Sequence, residues 1–533
     1  MAIKVSTSGA ATEAARRHLP RLVEQRIASR LFAEDPTLWG EAAEAESSKR
    51  LGWTRAAEVS RPLVDEIVAL RDELRGKGLD RIVLCGMGGS SLAPEVMANT
   101  AGVELEVLDS TNPAQVAEVV GEGIDRTVAV VSSKSGSTVE TDSQRRTLIA
   151  AFEAAGIDPA ERLVIVTDPG SPFEEWARGA GCRVFLADPT VGGRFSALTA
   201  FGLVPAGLAG LDIAELLDGA DAVADELAAD DERNPGLVLG AAIAGGEPVK
   251  TYLGMVEQGT DIVGLGDWAE QLIAESTGKE GKGLLPVVLG ADAPEIGLPI
   301  PDLQVVRLVA DAESDAALGD EINVSGSLAE QMLLWEVAVS VAGEILRINP
   351  FDQPDVESAK VAARALLDET PAPTPAAFVD GAVEVRGTAA VVDGQSTVAG
   401  AVEALLAQLP DRGYVAVQAY ANRLALDELV ELRDLIAHRA RRPVTFGWGP
   451  RFLHSTGQFH KGGPRVGVFL QLTTSEEVDV EIPERPFTFG GLIQAQAAGD
   501  ASVLEGHGMP VLRLHLADVD AGVAQVLEQL RGI

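Results

Sequence analysis

"RIVLCGMGGSSLAPEVM", residues 81–97, runs from an apolar stretch of strand length through a glycine turn into a helix start. The same order recurs in "TVAVVSSKSGSTVETDSQRRTLIAAFEAAG" (127–156) and in "ERLVIVTDPGSPFEEWARGAG" (161–181), which leads into "CRVFLADP" (182–189). Parallel strands need a crossover between them, so strands and helices in alternation predict a doubly wound α/β unit around a parallel sheet. A helix-rich stretch follows at about 195–245, and "PVKTYLG" (248–254), "PVVLGA" (286–291) and "LQVVRLVA" (303–310) predict a second parallel sheet. In "LLDETPAPTPAAFVDGAVEV" (366–385) the Ala-Pro and Thr-Pro pairs mark a linker near residue 372. Beyond it, strands at "GYVAVQAY" (413–420), "VGVFLQL" (466–472) and "VLRLHLA" (511–517), a helix at "ALDELVELRDLIAHRA" (425–440) and a final helix predict a third α/β unit. The expected organisation is an N-terminal helical segment over 1–50, units over 51–230 and 231–371, and a C-terminal α/β unit over 372–533.

The 533 residues suffice for about three domains, and 46% hydrophobic residues supply a sizeable core. Lys and Arg number 43 against 80 Asp and Glu, a net charge of -37 that repels nucleic acid and anionic lipid and argues against both as partners. Cys85 and Cys182 lie beside apolar runs without metal-ligand spacing, as small buried thiols in a reducing compartment do. The start, "MAIKVSTSGAATEAARRHLP", lacks the apolar core of a signal peptide, and no run approaches the roughly 18 apolar residues of a membrane helix. A cytoplasmic protein is expected. The six histidines, His18, His438, His454, His460, His507 and His515, show no HExxH or clustered spacing, so neither a metal nor another cofactor is expected.

Three loops carry candidate chemistry. In "CGMGGSSLAPE" (85–95), Gly86, Gly88 and Gly89 allow a ligand to approach the backbone before Ser90 and Ser91 open a helix. A dinucleotide fingerprint needs a third glycine three residues after the second, and its absence argues against a nucleotide. In "SSKSGSTVET" (132–141), the hydroxyls of Ser133, Ser135, Ser137 and Thr138 with Lys134 form either an anion cradle suited to a monophosphate or a capped turn that binds nothing. In "QLIAESTGKEGKGLLP" (271–286), Glu275 falls near a helix C-terminus, where the dipole disfavours a carboxylate. It is either one half of an i,i+4 pair with Lys279 or a base that removes a proton from carbon.

Five motifs, "GMGGSSLAPE" (86–95), "SSKSGSTVET", "VGGRFSALTAFGL" (191–203), "QLIAESTGKEGKG" (271–283) and "INPFDQPDVESAK" (348–360), stand in the order and approximate spacing of phosphoglucose isomerases. The chain resembles that family from about residue 50 to 370. Its tail, "GWGPRFLHSTGQFHKGGP" (447–464), looks like the isomerase portion of fused transaldolase and phosphoglucose isomerase proteins. With no transaldolase-length segment ahead of it, isomerase activity alone is expected. The resemblance implies an α/β fold of two doubly wound parallel-sheet sugar isomerase domains with a C-terminal α/β unit. It implies substrate binding by Gly89, Ser90, Ser133, Lys134, Ser135, Ser137, Thr138 and Gln353, and catalysis by Arg194, Glu275 and Lys360. It also implies a homodimer in which a histidine from one subunit completes the other's site.

The implied reaction is the interconversion of glucose 6-phosphate and fructose 6-phosphate. An aldose becomes a ketose by moving a proton between adjacent carbons through an enediolate, work for one carboxylate, with a guanidinium to hold the developing charge. Glu275 and Arg194 suit these roles. The alternatives are another substrate, such as mannose 6-phosphate, and a sensor that binds sugar phosphates without turning them over. Opening the sugar ring suits a group titrating near neutrality. The family's histidine for this lies between the glutamate and lysine motifs, yet residues 276–359 contain none. His454 and His460 are the candidates, or both are ordinary loop histidines.

Overall fold

The computed structural model describes residues 3–313, 317, 319–369 and 374–532; the linker expected near residue 372 lies outside them. The N-terminal segment, expected to be helical, opens instead on a strand, β1 (Lys4–Thr7), before the helix Gly9–Glu24. A run of only four residues, with β-branched Val5 and Thr7, is too short to register as a strand by periodicity and forms one by adding to a sheet edge.

Among the described residues there are three sheets. The first holds β2 (Arg81–Cys85), β3 (Glu106–Leu108), β4 (Thr127–Ser132), β5 (Leu163–Thr167) and β6 (Arg183–Leu186), all parallel in the order β3-β2-β4-β5-β6. Every residue of β4 is buried, because helices cover both faces, and its centre, residues 128–131, is accordingly a continuous apolar run rather than an alternation. The second sheet holds β7 (Tyr252–Glu257), β8 (Leu285–Leu289), β9 (Leu303–Leu308) and β10 (Glu321–Ser325), with β1 antiparallel on the outer edge of β10, in the order β1-β10-β9-β7-β8. β7 begins at Tyr252, four residues later than "PVKTYLG" suggested.

The third sheet contains β11 (Phe378–Asp380), β12 (Val383–Gly387), β13 (Tyr414–Tyr420), β14 (Val444–Trp448), β15 (Gly467–Thr474) and β16 (Val511–Leu516), in the order β11-β12-β16-β15-β13-β14. Its β13 to β16 are parallel, while β11 and β12 extend the edge antiparallel. When the parallel strands of each sheet are numbered in chain order, the second and third sheets share the order 2-1-3-4, and the first has the same order with a fifth strand added, 2-1-3-4-5. In such sheets ligands bind beyond the carboxyl ends of the strands where the order reverses, which in the first sheet is between β2 and β4.

One apolar cluster joins the first two units, from Ile82 and Val130 to Leu272 and Trp335. Another joins the second unit to the third through Tyr252, Leu285, Tyr414, Phe459 and Phe469. No helix among the described residues is long and apolar enough to cross a membrane.

Candidate active site

The loops after β2 and β4 border a cleft of about 340 Å³. Gly89, Ser90, Ser133, Lys134, Ser135, Ser137, Thr138, Arg194, Glu275, Gln353, Lys360 and His454 all line it, and His460 does not. Two glycines make the convergence possible. Gly88 has φ +57, and a Cβ on it would lie 2.6 Å from Nε2 of Gln271 and 2.9 Å from the carbonyl oxygen of His454. A Cβ on Gly89 would collide with the Gly193 carbonyl. The β2 loop thus packs directly against the loops that carry Arg194 and His454, and no larger residue fits.

The cradle is built by β4 ending in Ser132 and a helix starting at Val139. Gly136 N–H donates to Ser133 Oγ (3.1 Å), and the hydroxyls of Ser135 and Ser137 lie 2.6 Å apart. Thr138 is the N-cap with extended backbone but makes no side-chain cap bond, which leaves its hydroxyl and the first helical amides for a ligand. Lys134 is already engaged: its Nζ donates to the Val191 carbonyl (2.6 Å) and pairs with Asp168 (3.0 Å), and burial lowers its affinity for a proton below the ordinary lysine value. Its charge remains at the cradle while its hydrogen bonds tie the cradle to the Gly192–Arg194 loop.

Arg194 is 5% exposed. Phe195 stacks on Trp53 (5.3 Å) and packs against Phe351 (5.3 Å), which draws the "GGRF" and "NPFDQ" segments together. The guanidinium then donates to Ser276 Oγ (2.8 Å), Gln353 Oε1 (2.9 Å) and the carbonyls of Pro350 (2.7 Å) and Asp352 (2.9 Å). These partners fix it with Nη1 3.6 Å from Glu275 Oε1.

Glu275 lies in the last turn of the helix Leu265–Thr277, which ends at Gly278. Thr277 Oγ donates back to the Ile273 carbonyl (2.7 Å) and keeps that turn closed. The i,i+4 pair with Lys279 is not formed. Lys279 instead donates to Asp352 Oδ1 (2.7 Å) and the Asn349 carbonyl (2.7 Å), and burial, with Arg194 close by, pulls its ammonium down to about 8. Glu275 is left with the guanidinium and with Gln271, whose Nε2 donates to Oε2 (3.1 Å).

His454 ends a short turn, Arg451–His454, beyond β14. Its Nε2 lies 3.0 Å from Oε1 of Glu140, which is 4% exposed in the first turn after the cradle and also accepts from Gln496 Nε2 (2.7 Å). Burial pushes the Glu140 carboxyl up, but His454, the backbone amide of Glu140 and Lys360 together outweigh it, so the group falls below the ordinary glutamate value. His460 stands apart. Its Nδ1 meets the Tyr414 hydroxyl (2.7 Å), its ring stacks on Tyr414, and burial, with Lys461 adding, pulls it down to about 3. A neutral imidazole inside an aromatic core has no access to the cleft.

Sequence reasoning passed over Glu140, Gln271 and Arg50, the last of which lines the cleft from the N-terminal segment. Glu140 sits inside the quoted cradle motif, but its histidine partner lies 314 residues away and leaves no local signal. Arg50 has no local signal. Lys360, exposed on the helix Glu357–Glu369, faces both this cleft and a second cavity of about 300 Å³ that opens from it past His454.

Residues 64–244 match the family model described as Phosphoglucose isomerase. A probable glucose-6-phosphate isomerase of Haloarcula marismortui is 30% identical over 341 residues, 54% of this chain and 78% of its own length. Glucose-6-phosphate isomerase of Gloeothece citriformis is 27% identical, over 58% of this chain and 72% of its own. Among solved structures, a hypothetical protein from Thermus thermophilus superposes with a TM-score of 0.58 at 24% identity, covering 69% of this chain and all of its own. A glucose-6-phosphate isomerase from Chlamydia trachomatis does so with a TM-score of 0.50 at 19% identity, covering 65% and 79%. With this extent of shared sequence, the chain belongs to the phosphoglucose isomerase family.

Proposed function

We infer that the cleft interconverts glucose 6-phosphate and fructose 6-phosphate. The observation that carries this reading is Glu275 held 3.6 Å from an immobilised Arg194 in a cleft whose other wall is the hydroxyl cradle. The phosphate docks at Ser133, Ser135, Ser137 and Thr138, where helix amides and Lys134 compensate its charge. Gly89, Ser90 and Gln353 hold the sugar. His454, oriented by Glu140, gives a proton to the ring oxygen as its bond to the anomeric carbon breaks, and the anomeric hydroxyl loses its proton to solvent at the cleft mouth, where Lys360 stands, leaving the carbonyl. Glu275 takes the C2 proton and returns it to C1, and Arg194 stabilises the enediolate oxygen without giving up its own proton.

Two features support the ring-opening role of His454 over His460: its place in the cleft and its hydrogen bond to a carboxylate. A homodimer, implied by the resemblance, and the cytoplasmic location expected from the composition belong to the same reading, as does the likeness of the tail to the isomerase portion of fused proteins. Light scattering of an active preparation tests the dimer. Purified protein incubated with glucose 6-phosphate in deuterated water tests the activity. Deuterium entering C2 with formation of fructose 6-phosphate is expected. Binding without exchange would make the protein a sensor, and a faster exchange on mannose 6-phosphate would change the substrate.

A further inference from the structure

We propose that the C-terminal unit completes the site within its own chain: it lends His454 to the cleft of the first two units, and each chain is a full catalytic unit without a residue from a second copy. The inference rests on the isomerase reading above. It departs from the arrangement that the family resemblance implies, in which a partner subunit supplies the histidine.

The register between base and histidine is set by one side chain. The two N–H bonds of the Gln271 amide go to Glu275 Oε2 (3.1 Å) and to the carbonyl of His454 (2.7 Å), so the helix that presents the base also fixes the backbone of the histidine. From the other side, Glu140 ties the imidazole to the end of the cradle (3.0 Å). Gln496, on the helix Phe489–Gly506 of the C-terminal unit, closes the link by donating to Glu140 (2.7 Å) and accepting from Thr111 (2.8 Å) of the first unit. Histidine, base and cradle are thus connected by direct hydrogen bonds within one polypeptide.

The docking that holds His454 there is desolvated and specific. Arg451, three residues before the histidine, pairs with the fully buried Asp109 (2.9 Å) and with Glu95, and Arg423 pairs with Glu95 (3.0 Å). Removing one member of such a set strands a buried charge, so the unit has no inexpensive undocked state. Gln458 adds a donor to the Gly278 carbonyl (2.9 Å) just past the base helix. Apolar packing of Phe459 and Tyr414 against Tyr252 and Leu285 seals the same face. The unit itself repeats the 2-1-3-4 winding of the other two. A third copy of one architectural pattern therefore borders the cleft, through Leu453 and His454.

The test is complementation between Glu275→Gln and His454→Ala, co-expressed with different tags so that any mixed oligomer is isolated. Within-chain sites predict no recovery: the mixture shows only the summed residual activity of the two variants. If histidine crosses between subunits, one site of each mixed dimer is intact, and recovery to about half the parental rate overturns the proposal. In parallel, the specific activity of the parent is followed by dilution, with its mass measured at each concentration. An activity that stays constant as any oligomer dissociates is expected, and one that falls with dissociation overturns the proposal. Should His454→Ala keep the parental rate on cyclic substrate, the inference fails while proton exchange by the parent still upholds isomerisation. An inert parent would sink both.

Discussion

Glu275 occupies the carbonyl end of its helix, where a carboxylate costs roughly 0.3 to 1 kcal/mol against the dipole. Arg194 opposes this from 3.6 Å, and four fixed hydrogen-bond partners keep the guanidinium from following solvent. The two residues therefore fail differently from the cradle. Glu275→Gln preserves size and the Gln271 contact but removes the basic oxygen, and kcat should fall about a hundredfold or more with KM little changed. Ser135→Ala should instead raise KM severalfold and leave kcat closer to the parent, which steady-state kinetics of the two variants side by side would check. These positions were legible because each motif carries its chemistry in a short span. Glu140 was not, because an acid in the first turn of a helix reads as ordinary dipole compensation until the histidine facing it is known. Nor was Gln271, whose role depends on two residues that are far apart in sequence.

The loop between β14 and β15 contains both candidate histidines and separates them by environment. His454 ends a turn that opens on the cleft, while His460 lies six residues on, in a helix packed into the aromatic core. His454→Ala is expected to slow turnover of cyclic substrate by one to two orders of magnitude while sparing proton exchange on an open-chain analogue; His460 substitutions act through packing alone. His460 also gives a signed dependence on pH. Its folded value, about 3, lies below the ordinary 6.5, so the unfolded chain takes up a proton that the folded chain refuses. Its contribution to stability is present above about 6.5 and is lost as pH falls toward 3. Thermal midpoints of the parent and His460→Gln should therefore converge as pH drops from 7 to 4, and parallel curves would place the imidazole in a wetter site. Sequence spacing placed this loop between two strands but had no means of telling which histidine faces the cleft, since that depends on residues distant in sequence, Glu140 for His454 and Tyr414 for His460.

At the scale of the whole molecule, a substrate dianion approaches a protein of net charge -37. Arg50, Lys134, Arg194 and Lys360 line the cleft together with the carboxylates Glu46 and Glu275, so cations outnumber acids in the lining although acids outnumber cations in the chain. The repulsion reaches about 30 Å at 0.01 M salt and about 8 Å at 0.15 M. kcat/KM is thus expected to rise as salt increases over that range, because screening removes the distant charges before the near ones; a steady fall would show that the cleft's own cations govern capture. The alternation of strands and helices made all three parallel sheets legible, since a buried parallel strand advertises itself as an apolar run. The sharing of one cleft among three units was not, because docking depends on pairs such as Arg451 with Asp109, whose members are separated by most of the chain.

The antiparallel pairing of β1 with β10 joins Lys4–Thr7 to Ile322–Ser325. During synthesis the ribosome delivers the first partner long before the second. The first sheet, complete by Leu186, is able to close while translation continues, but β1 must wait as a lone strand until β10 emerges. An unpaired strand is a template for mispairing. Nascent chains arrested with β10 still in the ribosome tunnel should accordingly lose their N-terminus to protease within a brief pulse. Chains arrested after β10 has cleared the tunnel should keep it, and equal sensitivity at both lengths would mean that this first strand finds its place only after release.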